Sequence, residues 1–374
     1  MKWAGVMAVM AVTWWCLYCF FFHTGAWIEH ARTPVERMGG RLGLGAVERH
    51  LVSTTDGFVL EMHRLLPTGE VTGARPIVWL QHGLFEDSLV WLLAGGNRSL
   101  PARLLAAGAE VWLGNNRGNA FSSHRQLAAE EASFWTDWSF HEMAVHDWPA
   151  QLRHVLDTAG TERLVYVGQS QGAVQALIAL AVDAEAAAPR WARHVSRFVA
   201  LAPGGFVQVP SNPCIRFLFD HISSGLFGSA RFALTFDFWR YWTLLGHMGE
   251  TLMGALGFIS GDVDDALRGE LYRHIPSGST SIRNMEHWVQ VANSGRLCPF
   301  NSSSPYPLRK IATPISMYLA GDDNIIDIEK SVREIPHHCL HIQPGFSHAD
   351  FVWTGGPIFD QILDDILSTP TTQL

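Results

Sequence analysis

Short apolar runs alternate with amphipathic stretches along most of the chain after residue 48. "PIVWLQHG" (76–83), "AEVWLGNNRG" (109–118), "RLVYVG" (163–168), "RFVALAP" (197–203) and "PISMYLAG" (314–321) are continuous apolar segments bounded by turn residues, and "CLHIQP" (339–344) closes the set. Strands covered on both faces read this way. Between them, 100–107, 141–159 and 171–184 carry helical patterns, while "ERHLVSTTDGFVLEMHRL" (48–65) predicts a hairpin around Asp56-Gly57. The alternation predicts an α/β class with a mostly parallel, doubly wound sheet. It breaks over 204–308, where helical patterns and aromatic residues dominate and no strand is evident. That stretch is expected to be a helical cap inserted between two core pieces, 48–203 and 309–374.

Residues 1–26 form a separate unit. Ala4 to Phe22 is a run of 19 residues without a charge. At ~1.5 Å per helical residue it approaches the ~30 Å hydrocarbon core, longer than the usual apolar region of a signal peptide. It ends in three phenylalanines, and "HTGA" (23–26) makes only a fair cleavage site. The expectation is an uncleaved signal anchor; a cleaved signal, giving a secreted or lysosomal protein, is the alternative. Lys2 precedes the run, and Glu29, Arg32, Glu36 and Arg37 cancel beyond it, which directs the body to the lumen or outside. Sequons at Asn97 and Asn301 fit that placement.

Composition adds limits. Nearly half of the 374 residues are apolar and 17% are charged, so the chain can bury a large core. A net charge of −8 without a basic stripe excludes nucleic acid as a partner. Cys214, Cys298 and Cys339 are an odd number in the body, so this is no disulfide scaffold, and no C-x-x-C spacing suggests zinc.

The chemistry centres on "VYVGQSQGAVQAL" (165–177), a strand, a turn with glycines two residues either side of Ser170, and a helix. G-x-S-x-G in this context is a nucleophile elbow, with Gly168 and Gly172 small because strand and helix pass too close for a Cβ. In such folds the acid and then the histidine follow the serine along the chain, each after a strand. Asp322, Asp323 and Asp327 all follow "ISMYLAG", and spacing alone does not choose among them. His348 follows the last strand, whereas His337 and His338 precede it and His341 lies within it. Two backbone N–H groups must meet the developing oxyanion. Gln171 follows the serine, and Leu84 stands in "QHGL" after the 76–83 strand. Because Gln171 would act through its backbone, changing its side chain is expected to cost far less than losing Ser170.

These residues resemble the acid lipases, the family of gastric lipase, lysosomal acid lipase and the steryl ester hydrolases. The likeness spans about Glu48 to Trp353 and rests on "QHGL" with Trp91, "VWLGNNRGNAFSSH" (111–124), "FWTDWSFHEMAVHDWPA" (134–150), "HIPSGSTSIRNMEHWVQ" (274–290) and "SHADFVW" (347–353). It implies an α/β-hydrolase fold, Ser170 as nucleophile, His348 as base, and Asp323 as acid because "AGDDNIID" aligns with the family's turn. It also implies Leu84 and Gln171 as oxyanion donors and no metal or cofactor. Three departures stand out: Gln169 replaces the family's usual histidine before the serine, the connector from Gln290 to Ile311 is shorter, and the closely spaced cap cysteines are missing. The implied activity is hydrolysis of a neutral lipid ester at a membrane or emulsion surface. A short-chain carboxylesterase and a non-catalytic binding module are the alternatives.

Overall fold

The apolar runs become strands because each supplies side chains to two cores at once. In the computed structural model, which describes residues 34–68, 75–92, 94–128, 131–209, 279–354 and 357–368 together with 216 and 231–232, the central strands are β3 (Ile77–Gln81), β4 (Glu110–Gly114), β6 (Leu164–Gln169), β7 (Val195–Leu201) and β10 (Ile315–Ala320). Val78, Leu80, Val165, Val167, Val199 and Leu201 point into one apolar cluster. Ile77, Trp79, Leu164, Tyr166, Phe198 and Ala200 alternate with them and enter the other. With both faces covered, polar alternation has no place in these segments.

The hairpin β1 (Val47–Ser53) and β2 (Phe58–Leu65) is antiparallel, as is β2 against β4; the pairs from β4 onward are parallel and end at β11 (Cys339–Gln343). The order is β1-β2-β4-β3-β6-β7-β10-β11, with the short β5 (Ser122–His124) also pairing β2. This is the α/β-hydrolase arrangement, a mostly parallel sheet with helices on both faces. α1 (Pro34–Arg41), α2 (Leu100–Ala106), α7 (Asp350–Trp353) and α8 (Ile358–Leu367) supply residues to the first cluster, while α3 (Trp148–Ala159), α4 (Gln171–Glu185) and α5 (Ile282–Ser294) supply the second. α6 (Ile328–Glu334) follows β10.

Two local features differ from the pattern. The helix expected over 141–159 contains a π turn, Met143–Asp147, before α3. In the 204–308 stretch, Arg231–Phe232 (β8) pairs antiparallel with Thr280–Ser281 (β9), a ladder too short to leave a period-2 signal. Most of that stretch lies outside the described residues, as does the apolar run at 4–22. Among the described residues no helix is long and apolar enough to cross a membrane. Asn97 stands in the single turn Gly96–Arg98, and Asn301 is exposed. Cys298 is buried and Cys339 half-buried, both as free thiols; Cys214 lies outside the described residues.

Candidate active site

The turn between β6 and α4 is strained. Ser170 has φ 50° and ψ −115°, a backbone conformation that costs a non-glycine residue about 1–3 kcal/mol unless its surroundings enforce it. They do so from both sides. The Ser170 N–H donates to the Leu201 carbonyl at 2.9 Å, and the Ser170 carbonyl accepts from the Val174 N–H at 3.1 Å. The flanking glycines are required by close approach. A Cβ at Gly168 would stand 2.7 Å from the Ala173 nitrogen, and one at Gly172 would stand 2.5 Å from the Gln81 carbonyl oxygen. Both contacts are with backbone, which has little room to yield.

Ser170, the half-exposed residue at this tip, meets two buried partners. His348 Nε2 lies 2.8 Å from Ser170 Oγ, and His348 Nδ1 lies 2.8 Å from Asp323 Oδ2. The carboxylate can only accept, so Nδ1 carries the proton and Nε2 is free to accept from the serine hydroxyl. Asp323 Oδ1 accepts from the N–H groups of Ile325 and Ile326 at 2.8 and 3.0 Å, which fixes the carboxyl plane. The loop carrying Asp323 is tied to the end of β11 through Gly321 N–H to Gln343 O at 2.8 Å and Asp322 N–H to Phe346 O at 2.9 Å. Asp350, fully buried, accepts from the Ser347 N–H at 2.6 Å and so steadies the loop bearing His348. Burial opposes charge on His348, but the Asp323 carboxylate and the charge of Glu86 outweigh it and hold its pKa above 6.5. Burial also works against charge on Asp323, yet His348 and the two N–H donors hold its pKa below 3.8.

The loop after β3 passes the serine closely, since a Cβ on Gly83 would stand 3.1 Å from Ser170 Cβ. Leu84 follows that glycine, and Gln171 opens α4. Neither the Leu84 nor the Gln171 backbone N–H bonds another described group. His82 holds the loop in place: its Nδ1 donates to the Gly83 carbonyl at 2.8 Å, and its Nε2 accepts from the Asn116 N–H at 3.2 Å. Burial drops the His82 pKa to about 4, so it stays neutral and keeps both bonds.

Of the competing sequence candidates, Asp327 caps α6 by accepting from the Lys330 N–H at 2.9 Å, and Asp322 is exposed. His341 stacks on Tyr318, 4.6 Å between ring centres, and the His337 ring bonds the Ile335 carbonyl. None of these reaches Ser170. The Gln171 side chain has work the sequence does not reveal. Its Oε1 accepts from Asn284 Nδ2 and Trp288 Nε1, both at 2.9 Å, joining α4 to α5. Glu86 was also invisible from pattern, because one acidic residue in a turn ordinarily reads as solvated. Among the described residues, no group of three or more His, Cys, Asp or Glu side chains could hold a metal ion.

Comparison with known proteins agrees with this fold. The α/β hydrolase fold family matches residues 76–353, and a partial α/β-hydrolase lipase region matches residues 42–95. Human lipase member M is 32% identical over 338 residues, covering 82% of this chain and 78% of that protein. Human lysosomal acid lipase/cholesteryl ester hydrolase is 32% identical over 339 residues, covering 82% and 83%. Among solved structures, a soluble variant of monoglyceride lipase from Saccharomyces cerevisiae shares the fold with a TM-score of 0.55 at 17% identity, covering 86% of this chain and 93% of that one. With its strained serine turn, its sheet order and these relatives, the chain belongs to the acid lipase family of α/β hydrolases and is a carboxylic ester hydrolase.

Proposed function

We propose that the chain hydrolyses neutral lipid esters, triacylglycerol or steryl ester, through an acyl-enzyme on Ser170. The observation that carries this reading is the continuous chain Ser170 Oγ, His348, Asp323, with both contacts at 2.8 Å. A serine hydroxyl is a weak nucleophile until a base takes its proton. His348 Nε2 takes it as Oγ attacks the ester carbonyl, then returns it to the leaving alcohol. Asp323 holds the imidazole in the productive tautomer and stabilises its charged form. The N–H groups of Leu84 and Gln171 receive the oxyanion. A water then repeats the sequence to free the acid. No step in this scheme calls for a metal or cofactor. The 204–308 segment acts as the cap over the acyl chain, a role supported by its aromatic sequence and by the α5 contacts to Gln171. Lipid preference is supported by the resemblance to lipases rather than by the geometry, and a short-chain carboxylesterase would use the same triad.

The direct test is covalent. A fluorophosphonate probe should label the wild-type protein at Ser170 and leave a folded Ser170→Ala variant unlabelled and inactive on any ester. Full labelling of Ser170→Ala at another residue would end the proposal.

A further inference from the structure

Glu86 is a buried carboxyl beside the triad to which the scheme above gives no task. It is 7% exposed, and the charged groups that act on it are His348 and Asp87. Its Oε2 accepts the Gly83 N–H at 2.8 Å, closing the loop that carries Leu84. The site is crowded around one point. A Cβ on Gly83 would stand 3.0 Å from Glu86 Oε2, 3.1 Å from Ser170 Cβ and 2.3 Å from Gln169 Oε1. Gln169 Oε1 is itself buried with no partner among the described residues. His348 lies within Coulombic reach of the Glu86 carboxyl, and each favours the charged form of the other.

We propose that Glu86 is a positioning residue with two effects: through the Gly83 N–H it fixes the oxyanion loop, and through space it serves as a second carboxylate for the His348 imidazolium. The inference rests on the triad reading above. A buried carboxylate without a cationic partner is costly, and here the cation appears during the reaction, when His348 takes the serine proton. Burial pushes the Glu86 pKa up to about 7; the Gly83 N–H, His348 and the Trp353 side chain oppose that rise, and Asp87 adds to it. The groups acting on Glu86 are Gly83 and Asp87 on its own loop and His348 and Trp353 from the α7 side. Those facing His348 are Asp323, Glu86 and Ser170.

Glu86→Gln separates the two effects. Its amide oxygen can still accept the Gly83 N–H, so the loop stays while the charge goes. With p-nitrophenyl butyrate as a soluble substrate, the acidic limb of kcat/KM should move down by about half a pH unit. That is less than the 1–3 units of a directly contacting charge, and plateau kcat should fall about threefold to match. Glu86→Ala also frees the Gly83 N–H, and kcat should fall about a hundredfold with KM nearly unchanged, the pattern of a disturbed oxyanion site. An acidic limb that stays at the wild-type position in Glu86→Gln overturns the proposal, as does wild-type kcat in a folded Glu86→Ala. If Glu86→Ala does not fold, the Glu86→Gln pH profile decides alone. Ser170→Ala run beside them keeps the readings apart. Turnover surviving there removes the triad and this inference together, whereas a dead Ser170→Ala with wild-type Glu86 variants removes only the inference.

Discussion

The Trp288 indole N–H donates to Gln171 Oε1 at 2.9 Å, which ties α5 to the residue immediately after the proposed nucleophile. Asn284 Nδ2 reaches the same oxygen. The backbone of Gln171 is thereby held from two directions, by the α4 start and by the side chain. Replacing Gln171 with leucine keeps the N–H but strands two buried donors, at about 1–3 kcal/mol each. The variant should therefore melt lower and lose kcat by about tenfold, far less than Ser170→Ala. Wild-type thermal stability in Gln171→Leu would show that the cap side of the site does not depend on this contact.

Removing the reacting groups should be much more severe. Ser170→Ala or His348→Ala should each cost about 10⁴–10⁶ in kcat, and Asp323→Asn about 10⁴ because the imidazole tautomer is lost. Steady-state kinetics with a soluble ester checks both. Equal, small losses in all three would mean that the hydrogen-bonded chain is not the reacting unit.

The same pair sets a pH response whose sign can be worked out. Turnover needs neutral His348, and its pKa lies above 6.5, so activity should fall with acid from a point above that value. Stability runs the other way. The raised histidine contributes fully below 6.5 and loses its contribution as pH rises through the raised value, while the depressed Asp323 contributes above 3.8 and loses it as pH falls through the lowered value. His348→Gln should thus lower Tm more between pH 3.8 and 6.5 than in mild alkali. A kcat/KM profile at its maximum well below 6.5 would contradict the electrostatics of the site.

Arg117 offers a stability test away from the chemistry. Arg117 is 2% exposed, and its guanidinium is shared between Asp147, fully buried on the π turn, and Asp56 of the β1–β2 hairpin, at 2.6 and 2.7 Å. It also lies 4.1 Å from the Phe58 ring centre. Arg117→Met should cost about 3–5 kcal/mol by leaving Asp147 buried without its partner. A thermal unfolding curve displaced by several degrees is the expected result; an unchanged curve would mean that Asp147 rehydrates or takes its proton at little cost.

The sheet was legible because its strands are covered on both faces, which leaves short uninterrupted apolar runs. Ser170 and His348 were legible because the elbow has a fixed local pattern and the histidine must follow the last strand. Asp323 was not separable from Asp322 and Asp327 by spacing. The resemblance selected Asp323, and the three-dimensional turn shows why: Asp327 is spent on a helix cap and Asp323 faces the imidazole. Glu86 and the Gln171 side chain left no trace because their roles depend on contacts between segments distant in the chain. The π turn at Met143–Asp147 escaped for a related reason: its apolar spacing differs from an ordinary helix by a single residue, while its position matters through Asp147 and Arg117.

The last prediction concerns the substrate. Residues 214–249 are dense in phenylalanine, tryptophan and tyrosine, and their only Asp, Glu, Lys and Arg residues are Arg216, Asp220, Arg231, Asp237 and Arg240. As the cap of the proposed function, a segment of this composition suits an acyl chain and a lipid surface. Each buried methylene is worth roughly 0.8 kcal/mol, so eight more acyl carbons can add several kcal/mol of binding. Much of that is shared by ground and transition states and lowers KM; it raises kcat only where the chain orients the carbonyl toward Ser170. We expect kcat/KM to climb from acetate to long-chain esters and emulsified triacylglycerol or steryl ester to be hydrolysed. Deleting 214–245 should depress long-chain turnover more than short-chain turnover. If acetate and butyrate esters are the best substrates and emulsions are left untouched, the triad serves a short-chain carboxylesterase and the lipid reading fails.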